Sequence, residues 1–180
     1  AVDCPEQVEY VLDRARQGCG VEVYPIAAVS KGLRGEEPTD AEALKAAVPG
    51  RISVNGDINE DFSHDEMPIY GTKMPEAVCF PGNTEEVAAI MKLCNENKIP
   101  VTVRGAGTGL VGGSTPLQGG VVLCTMHMNE ILEYDMNNLF VRVQPGVRLC
   151  DLAADALEHD LMYPPDPGEK TGSLGGNVST

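Results

Sequence analysis

Apolar and polar positions from residue 48 onward predict short strands separated by amphipathic helices. Apolar, β-branched runs predict three strands, at Ala77–Phe80, Val101–Val103 and Val121–Thr125. A helix between the first two strands is indicated by Val87, Ile90, Met91 and Cys94 on one face, and by the capping residues Asn83 and Glu86. Because strand, helix and strand follow one another, we expect a right-handed crossover and a small parallel sheet.

The pattern then changes to a hairpin and a further helix. Ile131–Asp135 and Leu139–Gln144 flank a segment with two asparagines, which favours a hairpin turn. An amphipathic helix ending near His159 is predicted by Leu149, Leu152, Ala153, Ala156 and Leu157. Upstream, residues 1–47 have the pattern of a helix, a strand and a second helix, the last ending at Ala47.

A glycine-rich loop joins the second and third predicted strands. Seven of the sixteen residues from Gly105 to Gly120 are glycine. Glycine lets the backbone approach a ligand closely, and successive N–H groups in such a loop form a concave anion site. Arg104, at the mouth of the loop, would add a fixed positive charge. The loop therefore predicts a site for a pyrophosphate, although a long ordered surface loop without a ligand is the alternative.

The spacing of Gly107, Gly109 and Gly112 matches the dinucleotide fingerprint G-x-G-x-x-G. In that motif the third glycine opens a helix, whereas here Gly113, a proline and two more glycines lead directly into the next strand. The Walker A pattern is also excluded, because no Gly-Lys-Ser/Thr follows. We therefore interpret the segment as a phosphate loop held between two strands.

A second glycine cluster lies in YPPDPGEKTGSLGGNVST at 163–180. Together with RGAGTGLVGG at 104–113 and QPGV at 144–147, it resembles the flavin domain of the vanillyl-alcohol-oxidase-type flavoproteins, above all the glycolate oxidase and D-lactate dehydrogenase subunit family. GDINEDFSHDE at 56–66 also resembles the start of those subunits. The resemblance covers residues 48–180. It implies an α+β fold, namely the amino-terminal part of a PCMH-type FAD-binding domain: a small parallel sheet with flanking helices and the start of a second, β-rich half.

The resemblance also implies FAD as cofactor and a set of residues that hold it. The pyrophosphate and adjoining ribityl oxygens would be bound by Arg104, Gly105, Ala106, Gly107, Thr108, Gly109, Gly112 and Gly113. The flavin and its ribityl chain would lie along Pro165, Asp166, Gly172, Leu174, Gly175, Gly176 and Asn177. Because the first loop contains no histidine, we expect FAD to be bound non-covalently. No catalytic residue and no metal site is assigned.

The activity implied is that of a 2-hydroxy-acid dehydrogenase of the D-lactate or glycolate type. Hydride would pass from a small 2-hydroxy acid to FAD, and electrons would pass on to an electron-transferring flavoprotein or an iron–sulfur subunit. In that family a five-stranded second half and a substrate cap follow, so we expect residues 1–180 alone to be inactive. Another flavin enzyme of the same architecture, such as a 2-hydroxyglutarate dehydrogenase, and a non-catalytic nucleotide-binding module are alternatives.

Residues 1–47 resemble an internal α/β repeat of a dihydroorotase barrel. The resemblance runs from CPEQVEYVLDRARQGCGVEVYPIAAVSKGLRGEE to the end of LKAA. None of that family's metal ligands can be carried over, which weakens the alternative of a zinc amidohydrolase. We expect two segments, 1–47 and 48–180, which were joined either by a gene fusion or by an error of sequence assembly. Residues 1–47 are expected to be loosely attached.

Charge and cysteine content narrow the function classes. The formal net charge of −14 argues against binding to nucleic acid or to an anionic membrane, and no apolar run is long enough for a membrane span. The six cysteines lack C-x-x-C spacing, which favours reduced thiols in a cytoplasmic protein, with Cys94 and Cys124 buried as small apolar residues. We interpret the three histidines, His64, His127 and His159, as structural.

Overall fold

A computed structural model describes residues 41–179, and expectations that concern residues 1–40 lie outside the described part. The helices are α1 (Ala41–Ala47), α2 (Thr84–Glu96), α3 (Leu149–Glu158) and α4 (Leu174–Ser179). The strands are β1 (Ile52–Val54), β2 (Ala77–Cys79), β3 (Val101–Arg104), β4 (Val121–Cys124), β5 (Ile131–Asp135) and β6 (Phe140–Val143). Short 3-10 turns lie at Asn55–Asp57, Glu60–Ser63, Pro68–Tyr70 and Thr125–His127.

Four strands form the main sheet in the order β1-β2-β4-β3. β2, β4 and β3 are parallel, with Val121 of β4 in register with Ala77 on one side and Val101 on the other. These are the three predicted parallel strands, and the crossover from β2 to β3 contains α2 as expected. β1 adds to the outer edge of β2 in antiparallel orientation and was not predicted, because three half-buried residues between turn signals give no clear period.

Apolar side chains cover both faces of this sheet. On one face α2 contributes Ile90 and Cys94, which pack on Val121 and Leu123 of the sheet. On the other face Val78, Val122 and Cys124 meet Ile58, with Phe62 and Phe80 packed beside them. Every residue of β4 is buried, which is the burial expected of a central parallel strand.

Helix α1 is packed into the same core. Leu44 and Val48 are completely buried together with Ile90 of α2. For Ala41–Ala47, therefore, the structure differs from the expectation of a loosely attached segment. The apolar core reaches at least four residues upstream of residue 48.

Hydrogen bonds from side chains fix the start of α2 and join the hairpin to α3. Asn83 Oδ1 accepts a hydrogen bond from the Glu86 backbone N–H at 2.9 Å and so caps α2 as predicted. The expected hairpin is β5 and β6, and the Tyr134 hydroxyl donates to Asp155 of α3 at 2.7 Å. α4 was not predicted, because Gly175 and Gly176 disfavour a helix there.

Three cysteines, Cys79, Cys94 and Cys124, are buried with free thiols, as expected for the last two. Burial raises the pKa of Cys79 to about 12, with Cys94 nearby adding to the effect, and burial raises the pKa of Cys94 to about 11. These thiols are therefore protonated at neutral pH and act as apolar core groups.

Within residues 41–179, no helix has the length and apolar character needed to cross a membrane.

Candidate functional site

The glycine loop leaves the end of β3 and returns to the start of β4 without forming a helix, as predicted. Gly107 has a φ of +83°, a left-handed conformation that favours glycine. The Gly109 carbonyl accepts a hydrogen bond from the Glu66 backbone N–H at 3.0 Å, which ties the loop to the segment before β2. The loop is thus fixed at its base and at its middle.

The backbone N–H groups of Ala106 to Gly113 have no acceptor among residues 41–179. All of these residues except Gly112 line a cavity of about 780 Å³. These residues are half-buried or exposed, so their unpaired N–H groups are accessible at the cavity wall and can donate together to a ligand with several acceptor oxygens. A pyrophosphate has that chemistry.

Arg104 lies beneath the loop and does not line the cavity. Its side chain is 8% exposed, its Nη1 donates to the His64 carbonyl at 2.6 Å, and its guanidinium stands 5.3 Å from the centre of the Phe62 ring. Burial lowers the pKa of Arg104, while neighbouring groups, among them Asp61 and Asp65, oppose that shift. A guanidinium is effectively always protonated in proteins, so Arg104 places a positive charge beneath the loop, and its expected role in holding the pyrophosphate stays a prediction.

The second wall of the cavity comes from the second glycine cluster. The Leu174 N–H donates to the Val147 carbonyl at 2.8 Å, and the Gly175 N–H donates to the Pro145 carbonyl at 2.9 Å. A side chain at Gly175 would place its Cβ 2.7 Å from the Pro145 Cβ. The backbone carbonyls of the predicted motif QPGV thus hold the second wall in place by hydrogen bonds.

The two walls meet at Gly105 and Ser173. A Cβ added at Gly105 would lie 3.1 Å from the Ser173 Cβ and closer still to its Oγ. Ser173 is 3% exposed, and its Oγ accepts a hydrogen bond from the Gly176 N–H at 3.3 Å. Glycine at position 105 is what allows the two glycine clusters to come together.

Nine of the fifteen predicted cofactor residues line this cavity. They are Gly105, Ala106, Gly107, Thr108, Gly109, Gly113, Gly175, Gly176 and Asn177. The other six do not line it: Arg104, Gly112, Pro165, Asp166, Gly172 and Leu174. Gly112 is instead needed for packing, since a Cβ there would overlap the Tyr70 ring.

Several lining residues were not predicted. Asp65, Ser114, Thr125, Pro145, Pro167, Glu169 and Ser173 belong to this group. Asp65 lies in the acidic segment 56–66, which resembles the family but was given no role in the site, and Ser173 stands inside the recognised glycine cluster. No lysine or arginine is among the described lining residues, so the positive potential for an anion comes from backbone N–H dipoles and from Arg104 below.

The histidines lie away from the cavity lining, which agrees with a structural role. His127 stacks on Phe80 with ring centres 5.2 Å apart, and His159 stacks on Tyr134 at 4.4 Å. His64 contributes its carbonyl to Arg104. Residues 41–179 contain no cluster of side chains suited to a metal ion.

Comparison with known proteins gives a family match and close relatives. The model of an FAD-binding domain matches residues 75–180. The chain is 55% identical over 143 residues to a D-lactate dehydrogenase of Anaerostipes hadrus, covering 79% of this chain and 30% of the relative. It is 42% identical over 137 residues to the glycolate oxidase subunit GlcD of Bacillus subtilis, covering 71% and 29%. The chain thus spans about 30% of the length of these relatives.

Solved structures support the same fold. p-Cresol methylhydroxylase superposes with a TM-score of 0.61 at 25% identity, over 71% of this chain and 27% of that chain. Alkyldihydroxyacetonephosphate synthase superposes with a TM-score of 0.69 at 17% identity, over 89% and 34%. The predicted α+β flavin-domain fold is confirmed. These comparisons give no support to the dihydroorotase resemblance of residues 1–47.

Proposed function

The chain belongs to the FAD-binding domain family, and from that premise we propose that it forms the cofactor-binding part of an FAD-dependent 2-hydroxy-acid dehydrogenase. The substrate class is a small 2-hydroxy acid of the D-lactate or glycolate type. The relatives named for these two substrates support that choice. FAD is the cofactor, and the observation that carries its site is the row of unpaired N–H groups from Ala106 to Gly113.

The residues present fit FAD in size and in chemistry. A volume of about 780 Å³ lies within the roughly 300–1,000 Å³ typical of cofactor sites. We assign the pyrophosphate to the N–H groups of Ala106–Gly113, above the Arg104 guanidinium. Gly175, Gly176 and Asn177 form the opposite wall, along which the ribityl chain and flavin lie. We retain Pro165, Asp166, Gly172 and Leu174 as proposed neighbours of the flavin that do not line the described cavity.

The chemistry that FAD supplies is acceptance of a hydride from the substrate and its release as electrons. The described residues bind and orient the cofactor, and we assign none of them to the substrate. Within the loop 105–120 there is no histidine, so attachment of FAD is non-covalent. Precipitation of the loaded protein with acid should leave the yellow colour in the supernatant, and colour retained on the polypeptide would refute this.

Partners and location are proposed from the same family membership. We propose an electron-transferring flavoprotein or an iron–sulfur subunit as electron acceptor, and a cytoplasmic location, which the free buried thiols support. We also keep the division into segments 1–47 and 48–180 as a proposal, with α1 packed against the second segment.

The cofactor site is tested by titrating the chain with FAD, with NAD as the competing dinucleotide. Flavin fluorescence and equilibrium dialysis should report FAD binding, and NAD should not compete, because no helix follows the phosphate loop. Gly105→Val should abolish binding, since the added side chain would push Ser173 and the second wall away. Gly168→Ala is the matched control, because nothing lies within 4 Å of a Cβ at that position. Equal affinity for NAD, or unchanged binding in Gly105→Val, would refute the site.

A further inference from the structure

Asp65 presents a buried carboxylate at the wall of the cofactor cavity. Its side chain is 7% exposed and lines the cavity. Oδ1 accepts a hydrogen bond from the Met67 backbone N–H at 2.9 Å. Oδ2 is buried and has no hydrogen-bond partner among residues 41–179.

The free oxygen is directed toward the phosphate loop. A Cβ added at Gly109 would lie 3.5 Å from Asp65 Oδ2, and the next residue, Glu66, donates its N–H to the Gly109 carbonyl. Arg104 is near enough to feel the charge of Asp65, yet within the described residues the two form no ion pair. The carboxylate is therefore held beside the loop by its backbone and not by a counter-ion.

A buried carboxylate oxygen without a partner lowers the stability of the folded chain, because Oδ2 has lost its hydration without gaining a donor. Its chemistry also restricts what can satisfy it. A carboxylate repels a phosphate but accepts strong hydrogen bonds from hydroxyl groups. FAD carries hydroxyl groups on both sides of its pyrophosphate, on the ribityl chain and on the adenosine ribose.

We propose that Asp65 is a cofactor-binding residue whose Oδ2 accepts a hydrogen bond from a sugar hydroxyl flanking the FAD pyrophosphate. This inference rests on the proposed cofactor site and extends it by a residue outside both glycine clusters. The loop amides recognise the phosphates, and Asp65 recognises the hydroxylated carbon chain next to them. An anion without such hydroxyls gains nothing from Asp65.

Asp65→Asn separates binding from structure. The amide oxygen can keep the hydrogen bond from the Met67 N–H, while an NH₂ group replaces the free acceptor. We expect FAD affinity to fall about 10- to 100-fold, the usual effect of losing a hydrogen bond to a charged group. We expect the unliganded chain to be as stable as before or more stable in urea, because an unpaired buried charge is removed. Glu66→Gln removes the same charge from the neighbouring, exposed side chain and should leave FAD affinity unchanged.

FMN and ADP identify which hydroxyl is bound, since FMN contains the ribityl chain and ADP contains the ribose. Weaker binding of FMN alone by Asp65→Asn places the contact on the ribityl chain, and weaker binding of ADP alone places it on the ribose. Unchanged affinity for both would refute the contact with a hydroxyl. A loss of unliganded stability that matches the loss of FAD affinity would also refute it, as the role would then be structural.

FAD titration distinguishes a failure of the proposed cofactor site from a failure of the role proposed for Asp65. If the unsubstituted chain binds no FAD, the proposed cofactor site and the role of Asp65 are both overturned. If the unsubstituted chain and Asp65→Asn bind FAD equally well, only the role of Asp65 is overturned.

Discussion

Gly107→Ala should destabilise the phosphate loop through Arg104, the residue beneath it. The backbone at Gly107 has a φ of +83°, which a residue with a Cβ adopts at a cost of about 1–2 kcal/mol. The new Cβ would lie 2.8 Å from Arg104 Nη1 and closer to Nη2, so the guanidinium has to move. Movement breaks the hydrogen bond from Arg104 to the His64 carbonyl.

The magnitude follows from these two contributions. A hydrogen bond made by a charged group contributes about 1.5–3 kcal/mol. Added to the backbone cost, this gives a loss of about 2.5–5 kcal/mol in the free energy of unfolding. When Arg104 is first replaced by alanine, only the backbone cost of about 1–2 kcal/mol should remain. The predicted coupling between the two positions is therefore about 1.5–3 kcal/mol.

The assay is urea unfolding of the four proteins of this double-mutant cycle. The effect of alanine on the unfolded chain occurs in both backgrounds and cancels. Gly113→Ala serves as control, because a Cβ there meets only Val111 at 3.8 Å and the position lacks a positive φ. The reasoning is refuted if Gly107→Ala costs the same with and without the arginine.

Two further predictions concern the body of the domain. Leu44→Ala should lower the free energy of unfolding by about 2–5 kcal/mol, because Leu44 is completely buried; a loss below about 0.5 kcal/mol would instead support a separate segment ending at Ala47. Hydrogen bonds from Arg51 and the Gly82 N–H lower the pKa of Glu86, so its stabilising contribution is present above the unfolded pKa and lost as the pH falls through the folded one. Urea unfolding at pH 7 and pH 3 should therefore show that Glu86→Gln is more destabilising at pH 7 than at pH 3. Glu85→Gln, which has no ion pair among the described residues, should change little, and an equal loss for Glu86→Gln at both pH values would contradict this.

The parallel sheet could be predicted because its central strand is apolar on both faces. Each residue of Val121–Cys124 is buried, so the sequence shows a short unbroken apolar run between glycine-rich turns. Helix α4 could not be predicted in the same way. Its two glycines are poor helix formers, and the segment is held by hydrogen bonds to the Pro145 and Val147 carbonyls. Tertiary contacts decide the structure there.

In the candidate site, too, features set by local sequence could be predicted and features set by distant contacts could not. Glycine density is a local property, and it was sufficient to locate the loop of Ala106–Gly113. The burial of the Arg104 guanidinium beneath the loop could not be predicted, because its partners, the His64 carbonyl and the Phe62 ring, are about forty residues away in sequence. Asp65 was missed for that reason too: its place beside Gly109 depends on the packing of a distant segment.

The glycines of this loop match the dinucleotide fingerprint while serving different contacts. In that fingerprint one ligand and one helix account for all three glycines. Here Gly107 makes room for the Arg104 guanidinium, Gly109 lies beside the Asp65 carboxylate, and Gly112 makes room for Tyr70. Two of the three glycines thus meet separate packing requirements, each set by a residue outside the motif, whereas a Cβ at Gly109 would make only an ordinary contact with Asp65. The function of such a motif follows from what stands beneath the loop, and in this chain that is a buried arginine and an unpaired carboxylate.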